Sequence, residues 1–183
     1  MKVIWKVEDG PALISPNIFK DERGYFYESF NEKEFKEKIA NVDFIQDNQS
    51  LSSYGVLRGM HCQTGKFTQA KLVRVVKGAV LDVILDARYG STHKLYIAYL
   101  SEENHRQLFV PRGFLHGFLT LRDNTVFQYK CDNFYNKESE RGFNPNSIGF
   151  TWTDYIDEKD IILSEKDSNN PGYIYIDKLD FDL

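Results

Sequence analysis

Between residues 72 and 131 the chain is a succession of short apolar runs broken by turn signals, a pattern that leaves few folds open. Runs 72–76 and 79–85 are rich in β-branched residues and meet at Lys77-Gly78, a hairpin turn signal. In the second run Leu81, Val83 and Leu85 alternate with Asp82, Ile84 and Asp86. Runs 95–100, 107–110, 114–121 and 125–131 follow, separated by short loops such as Arg122-Asp123-Asn124. Many short strands at this spacing predict an all-β chain, an antiparallel sandwich or barrel. Aromatic residues make up 15% of the chain, which suits pleated surfaces. One helix is clearly signalled, over residues 31–39. Asn31 can cap it with Glu34 three residues on, Phe30 and Phe35 are placed as a hydrophobic staple, and Phe35 and Ile39 share a face. The tail from Asp154 is mixed and polar, with a short helix expected over residues 157–166.

The bulk numbers bound the partners. A chain of 183 residues without linker, repeat or low-complexity segment reads as one domain, 1–183, long enough to bury a real core. A net charge of −4 argues against a general nucleic-acid or membrane binder. Cys62 and Cys131 are too few for a disulfide framework and read as reduced thiols. The first eight residues are too short and charged for a signal peptide, and no apolar run reaches transmembrane length. The expectation is a soluble cytoplasmic protein.

Two strings carry the histidines that sit inside apolar runs. They are Gly55-Val56-Leu57-Arg58-Gly59-Met60-His61-Cys62-Gln63 and Pro111-Arg112-Gly113-Phe114-Leu115-His116-Gly117. Their layout resembles the two strand motifs of a cupin barrel, G-x5-H-x-H and P-x-G-x2-H, with Gln63 in place of the second histidine. His93 and His105 lie in polar turn contexts and are expected at the surface. A stable zinc, iron or manganese site wants three or four ligands. Gln63 is a poor one, and Lys66, Phe67 and Thr68 stand where a glutamate would help. No metal is expected, so the chain should work by proton transfer, or only bind.

Other residues admit two readings each. Arg58 and His61 are three apart and face opposite sides of a regular strand unless Gly59 allows a bulge. Lys71 and Arg74 are likewise split; Arg74 reads best as part of a solvated strand face with salt bridges. A lysine near a carbonyl oxygen can stabilise an enolate, and an arginine fork suits a diphosphate. The polar string Gln46-Asp47-Asn48-Gln49-Ser50 is either a plain loop or a reader of base and phosphate. The string from Asp21 to Glu28, with Arg23 and Phe26, is either an edge strand or an aromatic platform for a ligand ring. Tyr129 is either core packing or an acid facing a histidine base. Asp167 is either a helix-end surface carboxylate or the partner that fixes the tautomer of His61.

Together these strings resemble the dTDP-4-dehydrorhamnose 3,5-epimerase family, the RmlC-type cupins. The resemblance runs from Phe19-Lys20-Asp21-Glu22-Arg23-Gly24 to Leu163-Ser164-Glu165-Lys166-Asp167. The family pattern L-R-G-x-H-x-Q is met by Leu57 to Gln63. Its G-K-L-V-R string appears as Ala70-Lys71-Leu72-Val73-Arg74, and its P-x-G-F-x-H-G-F string as Pro111 to Phe118. The resemblance implies a jelly-roll β-barrel of antiparallel strands with a few short peripheral helices. It implies His61, oriented by Asp167, as the base that removes protons at C5 and C3 of a dTDP-linked 4-keto-6-deoxy sugar. Lys71 would stabilise the oxyanion, and Tyr129 would return a proton to C5 from the opposite face. Arg23, Phe26, Glu28, Gln46, Asn48, Arg58, His116 and Lys166 would line or hold the nucleotide sugar. The N-terminal part of one subunit would complete its neighbour's site, giving a homodimer. Departures are Cys62 in place of an aromatic, Phe134-Tyr135 in place of two tyrosines, and a loose fit over residues 141–152. A C3-only epimerase, a ketoisomerase of another nucleotide-linked 4-keto sugar, a non-catalytic nucleotide-sugar-binding cupin and a metal-dependent oxygenase are the other readings. Tyr129 and Asp167 favour the epimerase over the ketoisomerase.

Overall fold

The structure, a computed structural model, describes residues 1–173 and 179–183. Its strands are β1 (Lys2–Lys6), β2 (Ala12–Ser15), β3 (Ile18–Asp21), β4 (Gly24–Tyr27), β5 (Gln46–Ser52), β6 (Val56–Gln63), β7 (Lys71–Lys77), β8 (Ala79–Asp86), β9 (Leu95–Ser101), β10 (Gln107–Val110), β11 (Phe114–Thr120), β12 (Thr125–Cys131), β13 (Glu140–Gly142) and β14 (Ile162–Leu163). The α-helices are α1 (Glu32–Lys38) and α2 (Glu165–Ser168). No described helix is long and apolar enough to cross a membrane.

The strands form two facing antiparallel sheets, consistent with the sandwich or barrel that the spacing of runs and turns predicted and with the jelly-roll that the resemblance implied. One has the order β1-β2-β10-β7-β12-β5; the other runs β13-β6-β11-β8-β9, with β14 added in parallel to β6. Side chains from both sheets, including Val73, Val75, Ile84, Leu108, Phe118 and Phe127, fill the space between them. A second cluster covers the far face of the β6-β11-β8 sheet. There Leu81, Val83, Leu85, Leu115 and Leu119 meet Phe143, Ile148, Trp152 and Ile156 from the chain after β13. Strands β8 and β11 are therefore buried on both faces, and the alternation seen in β8 separates two interiors rather than core from solvent. Asp82, on the inner face with Ile84, is fully buried.

Helix α1 forms as its cap predicts: Asn31 Oδ1 accepts from Glu34 N at 3.0 Å, and Phe30 packs on Phe35 with ring centroids 5.8 Å apart. The helix expected over residues 157–166 does not form. The apolar Ile162 and Leu163 instead pair beside Val56 and Leu57 of β6, after a single 3₁₀ turn at Glu158–Asp160. Ser164 then caps α2 by accepting from Asp167 N at 3.0 Å. Strand pairing with β6, with Ile161 and Leu163 partly buried against the core, outweighs weak helix propensity here, and it decides where Asp167 sits.

The polar string from Gln46 to Ser50 is not a loop but strand β5, fully paired with β12 from Gln46↔Cys131 to Ser52↔Thr125. The segment from Asp21 to Glu28 contributes to a two-stranded ribbon, β3-β4, that turns at Glu22-Arg23. His105 is not at the surface: it is buried under this ribbon, with ring centroids 4.8 and 5.0 Å from Tyr25 and Tyr27. His93 is half-buried and meets the Tyr173 ring edge-on at 5.7 Å.

Glycine is required where β6 passes β11. Gly59 has φ +117°, and a Cβ there would lie 2.5 Å from Gly117 Cα and 2.8 Å from His116 O. Both obstacles are backbone and cannot swing aside. Gly59→Ala should lower stability by about 3 kcal/mol, read from urea unfolding, because it combines a left-handed φ with a main-chain clash.

Candidate active site

The β6–β11 ladder pairs His61 with His116 and Arg58 with Phe118, so β6 spends three steps where β11 spends two. The extra residue is a bulge at Gly59-Met60. It cancels the alternation that would have separated Arg58 from His61. Both line one cavity of about 420 Å³ together with Lys71, His116, Tyr129 and Asp167. Lys71 and Arg74, on the regular strand β7, do part company. Lys71 faces the cavity, while Arg74 donates to Tyr27 Oη at 3.1 Å and to Gln128 Oε1 at 2.8 Å.

His61 Nε2 lies 2.6 Å from Asp167 Oδ1. At that distance from a carboxylate the proton sits on Nε2, leaving the lone pair on Nδ1 as the basic position. Burial alone would push the Asp167 carboxyl up. Hydrogen bonding and charge from His61, with hydrogen bonds from Ser164 and the Gly59 backbone, outweigh it and hold the carboxyl below its ordinary value of 3.8. A carboxyl that is more acidic folded than unfolded adds stability above its unfolded value and loses it as pH falls through the folded one. The advantage of wild type over Asp167→Asn in urea unfolding should thus be full near about pH 6 and shrink below about pH 4.

Tyr129 stands on the inner face of β12, in register with Asn48 and Val73. Burial first, and the neighbouring Cys131 second, push its phenol up to about 12. The hydroxyl is therefore protonated near neutral pH, as a proton donor must be. Lys71 Nζ lies 5.8 Å from the Tyr129 ring centroid, a cation beside an aromatic face.

His116 has a carboxylate partner that motif reading did not reveal. Its Nε2 is 2.9 Å from Asp82 Oδ2 and 3.1 Å from Oδ1. Asp82 lies 34 residues earlier, inside an apolar run, with no local signal of its role. The inward register of β8 was the one clue, since a charged residue facing the core demands a partner. Among the described residues no group of three or more His, Cys, Asp and Glu side chains is placed to hold a metal ion.

The remaining candidates divide by location. Arg58 is steadied by donating from Nε to Ser52 Oγ at 3.1 Å, which leaves most of its fork available. Gln46 and Asn48 share a hydrogen bond of 3.1 Å and continue the Tyr129 wall. Arg23, Phe26 and Glu28 do not join His61 on their own chain. Arg23 and Phe26 project from the β3-β4 ribbon with Phe26 70% exposed, and Glu28 is exposed just beyond it. Lys166 is exposed and donates to Glu140 Oε2 at 2.6 Å. Gln63 is buried away from the cavity, and its Oε1 accepts from Asn136 N at 3.1 Å. It is a structural strut, not a wall of the site. Cys62 fills the core behind His61, with its thiol pushed by burial up to about 12.

The arrangement offers a base backed by a carboxylate, a protonated phenol, a lysine and an arginine around one cavity, a set suited to moving protons next to a carbonyl. Comparison with known proteins agrees. The family model described as dTDP-4-dehydrorhamnose 3,5-epimerase matches residues 7–173. The dTDP-4-dehydrorhamnose 3,5-epimerase of Methanothermobacter thermautotrophicus is 45% identical over 177 residues, covering 91% of this chain and 94% of its own. The crystal structure of the enzyme of that name from Elizabethkingia anophelis superposes with a TM-score of 0.86 at 50% identity, covering 95% of this chain and 97% of that one. A dTDP-6-deoxy-D-glucose-3,5-epimerase from Legionella pneumophila, solved in complex with dTDP-4-keto-L-rhamnose, superposes with a TM-score of 0.90 at 38% identity, over 100% of this chain and 98% of that one. With the match spanning both histidine strings, β5, β12 and the α2 turn, this chain belongs to the dTDP-4-dehydrorhamnose 3,5-epimerase family.

Proposed function

We propose that this protein is a dTDP-4-dehydrorhamnose 3,5-epimerase, converting dTDP-4-dehydro-6-deoxy-D-glucose to dTDP-4-dehydro-L-rhamnose for surface polysaccharide synthesis. The observation that carries the reading is the meeting of the His61–Asp167 pair with Tyr129 and Lys71 around one cavity. C5 and C3 each lie α to the C4 ketone. His61 takes the proton from such a carbon, and the electron pair moves onto the C4 oxygen as an enolate. Lys71 stabilises that oxyanion, a contribution of about 10²–10³-fold for one well-placed donor. Tyr129 returns a proton to C5 from the opposite face, which inverts the centre. His116, held by Asp82, lines the sugar pocket. Gln46, Asn48 and Arg58 hold the nucleotide diphosphate, joined by Lys166 once it exchanges Glu140 for a phosphate. No metal or dissociable cofactor enters this scheme.

Arg23, Phe26 and Glu28 fit the same scheme only across a subunit boundary. Their exposure on the β3-β4 ribbon, away from their own cavity, supports a homodimer in which each ribbon completes the other subunit's nucleotide site. We read residues 1–183 as one domain and place the enzyme in the cytoplasm, where the free thiols Cys62 and Cys131 are at home.

The test is solvent deuterium. Incubation with dTDP-4-dehydro-6-deoxy-D-glucose in D₂O should label both C3 and C5, read by NMR. Label at C3 alone identifies a C3-only epimerase, a migrated carbonyl a ketoisomerase, and no label from a folded sample overturns the proposal.

A further inference from the structure

The stretch after β13, whose fit to the family spacing is loose, packs directly on the α2 turn that carries Asp167. Asn144 donates its backbone N–H to Pro171 O at 2.9 Å and its side-chain amide to Ser168 O at 3.2 Å. Two residues earlier, Gly142 stands opposite His61 in the β13–β6 ladder. A Cβ on Gly142 would lie 2.4 Å from Asn170 Nδ2 and 2.8 Å from Asn170 Cγ. The Asn170 amide thus occupies the space that the missing side chain leaves. From there Nδ2 donates at 3.4 Å to Asp167 Oδ1, the same oxygen that accepts from His61 Nε2. Turned over, the amide would set its carbonyl against a carboxylate, so only the donor orientation fits.

We propose that Asn170 is a positioning residue for proton transfer: its amide, admitted by Gly142, holds the Asp167 carboxylate in the orientation that serves His61. The inference rests on the reading of His61 as the base. Asp167 sits on a four-residue helix, and a short helix sets the direction of a side chain only loosely. A carboxylate that accepts from His61 alone can rotate about its last bond and carry the imidazole with it. A second side-chain donor on Oδ1, the oxygen that His61 uses, restrains that rotation, beside the contacts that Ser164 and the Gly59 backbone make to the carboxyl. The other ionisable groups near the pair are Lys166 on α2, Glu140 on β13, His116 on β11, Arg58 on β6, Lys71 on β7 and Tyr129 on β12. None of them is altered in the test.

The experiment compares full-length wild type with Asn170→Ala, Asn170→Asp and Gly142→Ala. One readout is the ¹⁵N NMR titration of the His61 ring without substrate; the other is the pH dependence of kcat and KM. Asn170→Ala should lower kcat about tenfold with KM within about twofold, because orientation is lost and substrate contacts are not. Asn170→Asp keeps the size, removes the donor and sets a second anion beside Asp167. It should raise the His61 titration by about half a unit or more and carry the acid limb of kcat/KM with it. Gly142→Ala should reproduce the loss in kcat by displacing the Asn170 amide. The proposal is overturned if both Asn170 variants match wild type in kcat and His61 titration. It is equally overturned if activity falls only in step with thermal stability while the titration stays fixed. A wild-type protein without epimerase activity would instead sink the proposed function, and the substrate-free titration would still decide the role of Asn170.

Discussion

His61→Asn should lower turnover by about 10³–10⁴-fold while leaving dTDP binding within a few-fold of wild type. Asparagine keeps a polar group of similar reach at the cavity wall but has no nitrogen that takes a proton near neutral pH. The structure gives a reason for binding to survive. The imidazole is held by Asp167 and by its strand, whereas the arginine and amides proposed to grip the nucleotide lie on other parts of β6 and on β5. Single-turnover kinetics and isothermal titration with dTDP measure the two quantities separately. Loss of binding in parallel with turnover would mean that His61 shapes the pocket rather than moving protons. Unchanged turnover would mean that the protein only binds.

Tyr129→Phe carries the second large effect. It removes one oxygen and keeps the ring between Lys71 and Phe127. Inversion at C5 should fall by about 10²–10³-fold, because the only proton lost is the one delivered to that carbon. Deuterium exchange at C3 should stay within about tenfold, since His61, Asp167 and Lys71 are all retained. NMR of the products in D₂O reads both carbons in one sample. Equal loss at C3 and C5 would assign Tyr129 to stabilising the shared enolate instead of to a single face of C5.

The fold was legible where apolar periodicity was strong. The runs in β7, β8 and β12 stand in the structure where the sequence pattern places them, but Lys77-Gly78 is not a hairpin turn: β7 pairs with β10 and β12, β8 pairs with β11 and β9, and the chain crosses from one sheet to the other at Gly78. It was illegible where a strand is polar. The β5 residues lack β-branched character, yet β12 supplies hydrogen-bond partners along their whole length. The site was half legible. Both histidines announced themselves by being polar inside apolar runs. Of their carboxylates, Asp167 was legible as one of two readings and through the family resemblance, whereas Asp82 gave no local sign, because it is joined to its histidine by tertiary pairing alone. Asp82 reaches His116 through the inward face of β8, and Asp167 reaches His61 through a two-residue parallel strand. The joint placement of Arg58 and His61 depended on a bulge that spacing leaves open and Gly59 resolves. Glu140 escaped notice because its role at the rim, holding Lys166, appears only when β13 lies against β6.

The base and its carboxylate partner are 106 residues apart in the chain, and the carboxylate arrives on a tail secured to the barrel by the short strand β14. Such a tail can detach while the two large sheets stay intact, a sub-global opening with a free energy well below that of complete unfolding. Amide hydrogen exchange at Ile162 and Leu163 should therefore outpace exchange in β8 and β11. Each opening event silences the enzyme without denaturing it. A newly made chain is in the same position: it becomes competent only when the segment that carries Asp167 docks beside β6.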